Sequence, residues 1–173
     1  GENPRHRARA LWALGKMGGR GHGAVDAALA DKNPDIRIVG IRLARQLGLK
    51  MPGKIAKVMR DDSAAVRREA SIALRFDGSQ AANELWAVLA LQHTGEDRWY
   101  LEALGLAADK QENTFFDAWI ESVGDKWNTL AGRDIIWRSR GTHVPKYLAD
   151  IITDKKTPEA EKARYLRALD LVA

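Results

Sequence analysis

SAAVRREASIALR, residues 63–75, follows the acidic pair Asp61-Asp62 and decides how the rest of the chain is read. Counting back thirty residues lands on NPDIRIVGIRLAR (33–45), and thirty more on NPRHRARALWALG (3–15). Arg7, Arg37 and Arg67 recur at that interval. So do Pro4 and Pro34, the small residues Ala10, Gly40 and Ala70, and the acids Asp31 and Asp61. A repeat of this length, made of helical patterns with no strand pattern, is the sequence mark of an α-solenoid. The expected fold is all-α, a superhelix of about five helix pairs. Residues 1–76 carry regular repeats, and residues 77–173 carry looser ones spaced nearer 34–36 residues, all within one domain.

Local signals place the helices. Asn3-Pro4 and Asn33-Pro34 each pair an N-cap residue with a proline at the first helical position. Ala8, Leu11, Trp12 and Leu14 form one apolar stripe, and Ile36, Val39, Gly40, Leu43 and Leu47 form the next. Ser63 is the expected cap of the third long helix, with Val66, Ala70, Ala73 and Leu74 facing inward and Asp77-Gly78 closing it. Small residues at 10, 40 and 70 suit close helix approach. Shorter return helices are expected over 24–30, from Pro52, and over 83–92; further helices follow over 98–108, 115–123, 133–140, 144–153 and from Pro158 to about Leu169. Neither terminus reads as a polar cap, so the chain is expected to be a segment of a longer protein.

Composition excludes some functions. The chain has 173 residues, 29% of them charged, which is ordinary for a globular domain. No apolar run reaches the roughly 18–20 residues that span a bilayer. With no cysteine there is no disulfide, thiolate metal site or haem-attachment motif, and the compartment stays open between cytosolic and oxidising. Net charge is +9 over residues 1–76 and −4 over 77–173. That asymmetry fits either a polyanion-binding end or the long solvated side chains of a repeat surface.

Catalytic and metal constellations do not assemble. His6, His22, His93 and His143 are scattered along the chain without metal-ligand spacing, and are expected at the surface or in loops. Gly18 to Gly23 (GGRGHG) follows a helix instead of a strand, so it reads as a flexible interhelical turn whose amides and Arg20 could meet an anion. No triad or nucleophile elbow is present. Asp61-Asp62 read as helix-start charges. The expectation is a non-enzyme, with no cofactor in this chain.

Basic and aromatic residues interleave at Arg98-Trp99-Tyr100 and around Trp137, Arg138 and Arg140. Together with Trp127 they are the candidate partner-binding residues, since such groups stack on rings, hold anions and populate interfaces. Alternatively they fill gaps between irregular repeats. Trp127 sits in a polar stretch and is expected to be the most exposed of the later tryptophans. Asp134 is placed to pair with Arg138 at i,i+4.

Asp31–Leu47 and Asp61–Leu74 each run from an acid through Ile36-Arg37 or Val66-Arg67 to a small residue, and in this they resemble the HEAT repeat, an armadillo-type fold. The resemblance implies that Asp31, Arg37, Asp61 and Arg67 form a structural ladder tying neighbouring units together. The stretches at 95–109, 115–121, 134–140 and 156–170 resemble the HEAT-repeat section of large secreted proteins of planctomycete-type (PVC) bacteria. In that family a dehydrogenase-like region precedes the array and a haem-binding CxxCH domain follows it. The resemblance implies a spacer or docking array in a periplasmic or extracytoplasmic protein, its partners being proteins or its own flanking domains. The alternative is a nucleic-acid-binding, glycosylase-type array using a basic concave face.

Overall fold

Asn3 and Asn33 turn their side-chain oxygens onto the backbone N–H groups of Arg5 and Asp35, at 2.9 and 2.8 Å. Each satisfies a donor that a helix start leaves free, and Pro4 and Pro34 occupy positions where no donor is needed. The first two units share this cap, whereas Ser63, the expected cap of the third, makes no side-chain capping bond. An acid two residues ahead adds a second tie: Asn33 N–H donates to Asp31, Ser63 N–H to Asp61 and Ser79 N–H to Asp77.

The computed structural model describes residues 3–172. Within them the chain is all-helical, with eleven α-helices. They are α1 Pro4–Gly15, α2 Arg20–Leu29, α3 Pro34–Gln46, α4 Met51–Ile55, α5 Ala64–Ala73 and α6 Gln80–Ala90. The rest are α7 Arg98–Ala107, α8 Glu112–Val123, α9 Leu130–Arg138, α10 Val144–Thr153 and α11 Glu159–Leu169, with a 3-10 turn at Gly124–Trp127. The odd-numbered helices pack in sequence, α1 on α3, α3 on α5, and so on to α11. On the other side α4 packs on α6 and α6 on α8, while α2 bridges α1 and α3 and α10 bridges α9 and α11. Buried apolar side chains form one continuous cluster from Val25 to Ala168. No helix is long and apolar enough to cross a membrane among the described residues.

Several boundaries differ from the sequence expectation. Gly21 to Gly23 lie inside α2, which begins at Arg20. A Cβ on Gly21 would come within 3.0 Å of Gly15 Cα, so the glycine serves helix approach instead of turn flexibility. Helix α6 starts three residues early because Ser79 caps it through Ala82 N–H, and α9 starts early because Thr129 caps it through Gly132 N–H. Gly40 and Ala70 are buried as expected of close-approach positions, whereas Ala10 is exposed. Trp12, Leu14 and Met17 of the first unit are also exposed.

The odd helices α1 to α7 are each followed within three residues by a left-handed backbone position, at Gly18, Gly48, Phe76 and Lys110. The first two are the glycines such a turn favours; the others are not. Asp77-Gly78, expected to close α5, follows a chain reversal that Phe76 makes.

Candidate binding surface

Asp61 illustrates how the units are joined. Its Oδ1 accepts the Ser63 N–H at 2.9 Å and the Arg37 Nη2 at 2.7 Å, with Arg37 Nε 2.6 Å from Oδ2. The opposite edge of the Arg37 guanidinium donates through Nη1 to the backbone carbonyls of Asp31 (2.8 Å) and Lys32 (3.1 Å). One side chain therefore ties its own loop to the next unit. Burial pushes the Asp61 carboxyl up, but donation from Arg37 and the Ser63 amide outweighs it and leaves its pKa below the usual carboxylate range.

The carboxylates of this ladder meet the arginine of the preceding unit. Asp31 takes the Arg7 guanidinium, and Asp61 takes Arg37, each arginine reaching 24 residues forward. Arg67 meets its own unit through the Asp61 carbonyl at 2.6 Å. Twenty-four residues beyond Arg67 stands Leu91, not an acid, and Arg67 instead lies over the Tyr100 ring, 5.5 Å from its centroid. The regular ladder ends there. A second set of pairs carries the connection onward: Arg42–Glu69 (2.7 Å), Arg68–Asp97 (3.0 Å), Arg75–Asp109, Arg138–Glu102 (2.9 Å) and Arg164–Asp134 (2.7 Å). Each joins a stretch of one odd-numbered helix, or its flanking turn, to the next. Arg5, Arg9 and Arg45 are exposed.

The candidate partner-binding residues separate into different roles. Trp99 is 75% exposed at the start of α7. Beside it Arg98, also exposed, reaches Glu102 at 3.3 Å. Tyr100 is buried, its hydroxyl donating to the Leu89 carbonyl at 2.9 Å. Trp127 corrects the sequence expectation: it is half-buried, edge-on to Tyr147 at 5.3 Å. Trp99, not Trp127, is the exposed later tryptophan. Trp137 is half-buried beneath Arg164, whose guanidinium carbon is 4.1 Å from the ring centroid. Arg138 pairs with Glu102, not with Asp134. Arg140 donates to the carbonyls of Trp137 and Ser139.

Trp99 closes one end of a shallow groove across α3, α5 and α7, with Ile38, Ile72, Ala103 and Leu106 as its apolar lining and Arg42 and Arg68 at its edges. Trp137 lines a different recess, with His93, Asp134 and Arg164. The aromatics do not make one stripe. No protein-family model, curated protein or solved structure matches the chain.

Three features escaped sequence reading. His93 is buried, not superficial, its Nε2 3.2 Å from Asp134 Oδ2. Arg164, on the last helix, completes that cluster. Gln92 and Gln111 donate across units to the carbonyls of Met59 (2.8 Å) and Leu74 (3.0 Å), at a turn and a helix end. Nothing in local periodicity marks a glutamine for that task.

Proposed function

We propose that the chain is a non-catalytic HEAT-like α-solenoid, of the armadillo type, that holds a protein partner or the flanking domains of its own polypeptide. Support comes from one observation above the others: arginines of successive odd helices are committed to acids of the neighbouring unit. Such pairing stiffens a repeat array and removes those side chains from contact with a polyanion. The groove beside Trp99 supplies an exposed aromatic next to an apolar lining, with Arg42 and Arg68 already paired to acids, and such an aromatic anchor is favoured at interfaces. In this reading the array belongs to a larger extracytoplasmic, dehydrogenase-like, haem-binding protein, and brings no cofactor of its own.

A photo-activated cross-linker placed at position 99 tests the proposal. Cross-links mapping to a defined protein segment, above all one of the same polypeptide, support it. Cross-linking to nucleic acid, or duplex-DNA binding that weakens log-linearly from about 50 to 300 mM salt, overturns it in favour of the nucleic-acid alternative.

A further inference from the structure

Between α7 and α9 lies a cleft of about 240 Å³, floored by Leu101, Leu104 and Ile135 and rimmed by Arg75, Arg138 and Arg140. Two of these arginines are neutralised, Arg75 by Asp109 and Arg138 by Glu102. Arg140 is different. Its Nη1 donates to the carbonyls of Trp137 (2.9 Å) and Ser139 (2.8 Å), using one of three guanidinium nitrogens. No carboxylate of the described residues pairs with it.

The cleft is shaped to hold cationic groups close together. Gly105 lies beneath Arg138, and a Cβ there would overlap the guanidinium. The missing side chain leaves room for the Arg138 guanidinium against α7, close enough for its charge to act on Arg140. Burial, and then the neighbouring Arg138 charge, lower the Arg140 pKa from its ordinary value, against a smaller upward pull from Glu102. It still carries its charge at neutral pH; Glu102 acts on it from beyond ion-pair distance, so this half-buried cation has no direct carboxylate partner among the described residues.

We propose that this cleft binds a small organic carboxylate with an apolar body, its carboxylate on Arg140 and its body against Leu101, Leu104 and Ile135. Size and charge favour this class. The volume is below the roughly 300–1,000 Å³ of drug-sized ligand sites. A single unmatched guanidinium suits a monoanion, held by two parallel charge-assisted bonds. Glu112, also at the rim, has one carboxylate oxygen accepting the Lys110 N–H at 3.1 Å and opposes a dianion such as phosphate.

Titration of the full chain with benzoate, benzyl alcohol and inorganic phosphate, followed by amide NMR shifts, tests the assignment. Benzoate should shift α7 and α9 resonances saturably, while benzyl alcohol and phosphate leave them in place. Arg140→Leu should weaken benzoate binding by about tenfold or more, the loss expected for a charged hydrogen-bonded contact. Glu112→Gln should strengthen it about two- to threefold, through removal of a nearby like charge. This second variant gives a gain that misfolding cannot mimic. Absence of saturable shifts, or benzoate binding that survives Arg140→Leu, overturns the site. Phosphate binding through Arg140 without benzoate binding overturns the carboxylate assignment.

Discussion

Arg37 and Asp61 meet edge to edge across two units, with the arginine side chain 11% and the aspartate 7% exposed. Removing one partner from a pair so buried leaves a charge without its match, at a cost of about 3–5 kcal/mol. Arg37→Ala should therefore lower stability by about 3 kcal/mol in urea unfolding. Asp62 also touches Arg37, but its side chain is 93% exposed, and Asp62→Asn should change stability by less than about 0.5 kcal/mol. Equal effects from the two changes would show that the buried ladder does not hold the units together.

Asp134 should govern part of the acid response. Burial pushes its carboxyl up, yet bonds from His93 and Arg164 and their charge hold its pKa below the ordinary aspartate value. A depressed folded-state pKa gives stability that is fully present above the unfolded value of about 3.9, and that disappears as pH falls through the folded value. Wild type should exceed Asp134→Asn in stability by about 1–3 kcal/mol at pH 7. The difference should shrink below about pH 4. A gap of the same size at pH 2 would contradict this account.

Lys110 holds φ at 66°, a left-handed conformation that a residue with a Cβ adopts at a cost of about 1–2 kcal/mol. Glycine removes that strain but adds freedom to the unfolded chain. Lys110→Gly should stabilise the protein by roughly 0.5–1 kcal/mol, read as a higher urea midpoint with an unchanged slope. The corresponding change at Phe76, φ 68°, should gain less. Its ring lies under the Arg75 guanidinium at 4.4 Å, a contact glycine would lose.

Trp99 and Trp119 should behave as opposites. Trp119 is 2% exposed within the core, and replacing it by alanine should cost about 3–5 kcal/mol. Trp99→Ala should move stability by less than about 0.5 kcal/mol. It should also remove the tryptophan emission most accessible to acrylamide. Quenching unchanged in that variant would mean the indole is covered in solution.

Gly40 faces Ala28 so closely that an added Cβ would lie 2.9 Å from the Ala28 Cβ and 3.2 Å from the Leu29 nitrogen. Gly40→Ala should destabilise by about 1–3 kcal/mol, as overpacking does. Gly53, with open space around it, should accept alanine without loss. Thermal unfolding of the two variants side by side decides the matter.

Much of this molecule is written locally. Asn33-Pro34 and the stripe through Ile36, Gly40 and Leu43 place α3 because capping and helical periodicity act within a few residues. Arg37 and Asp61 are likewise visible as a recurring pair of residue types. Which arginine meets which acid is not local. It depends on the rise and rotation from one unit to the next, and that geometry sends Arg37 forward 24 residues to Asp61. The same packing buries His93 against Asp134, 41 residues away, and tilts Trp127 onto Tyr147 while leaving Trp99 in solvent. Sequence alone determined that the chain is helical and marked the recurring arginines and acids of the first units. Tertiary structure decided the partners, because a charged side chain finds its match across the space between elements, not along the chain.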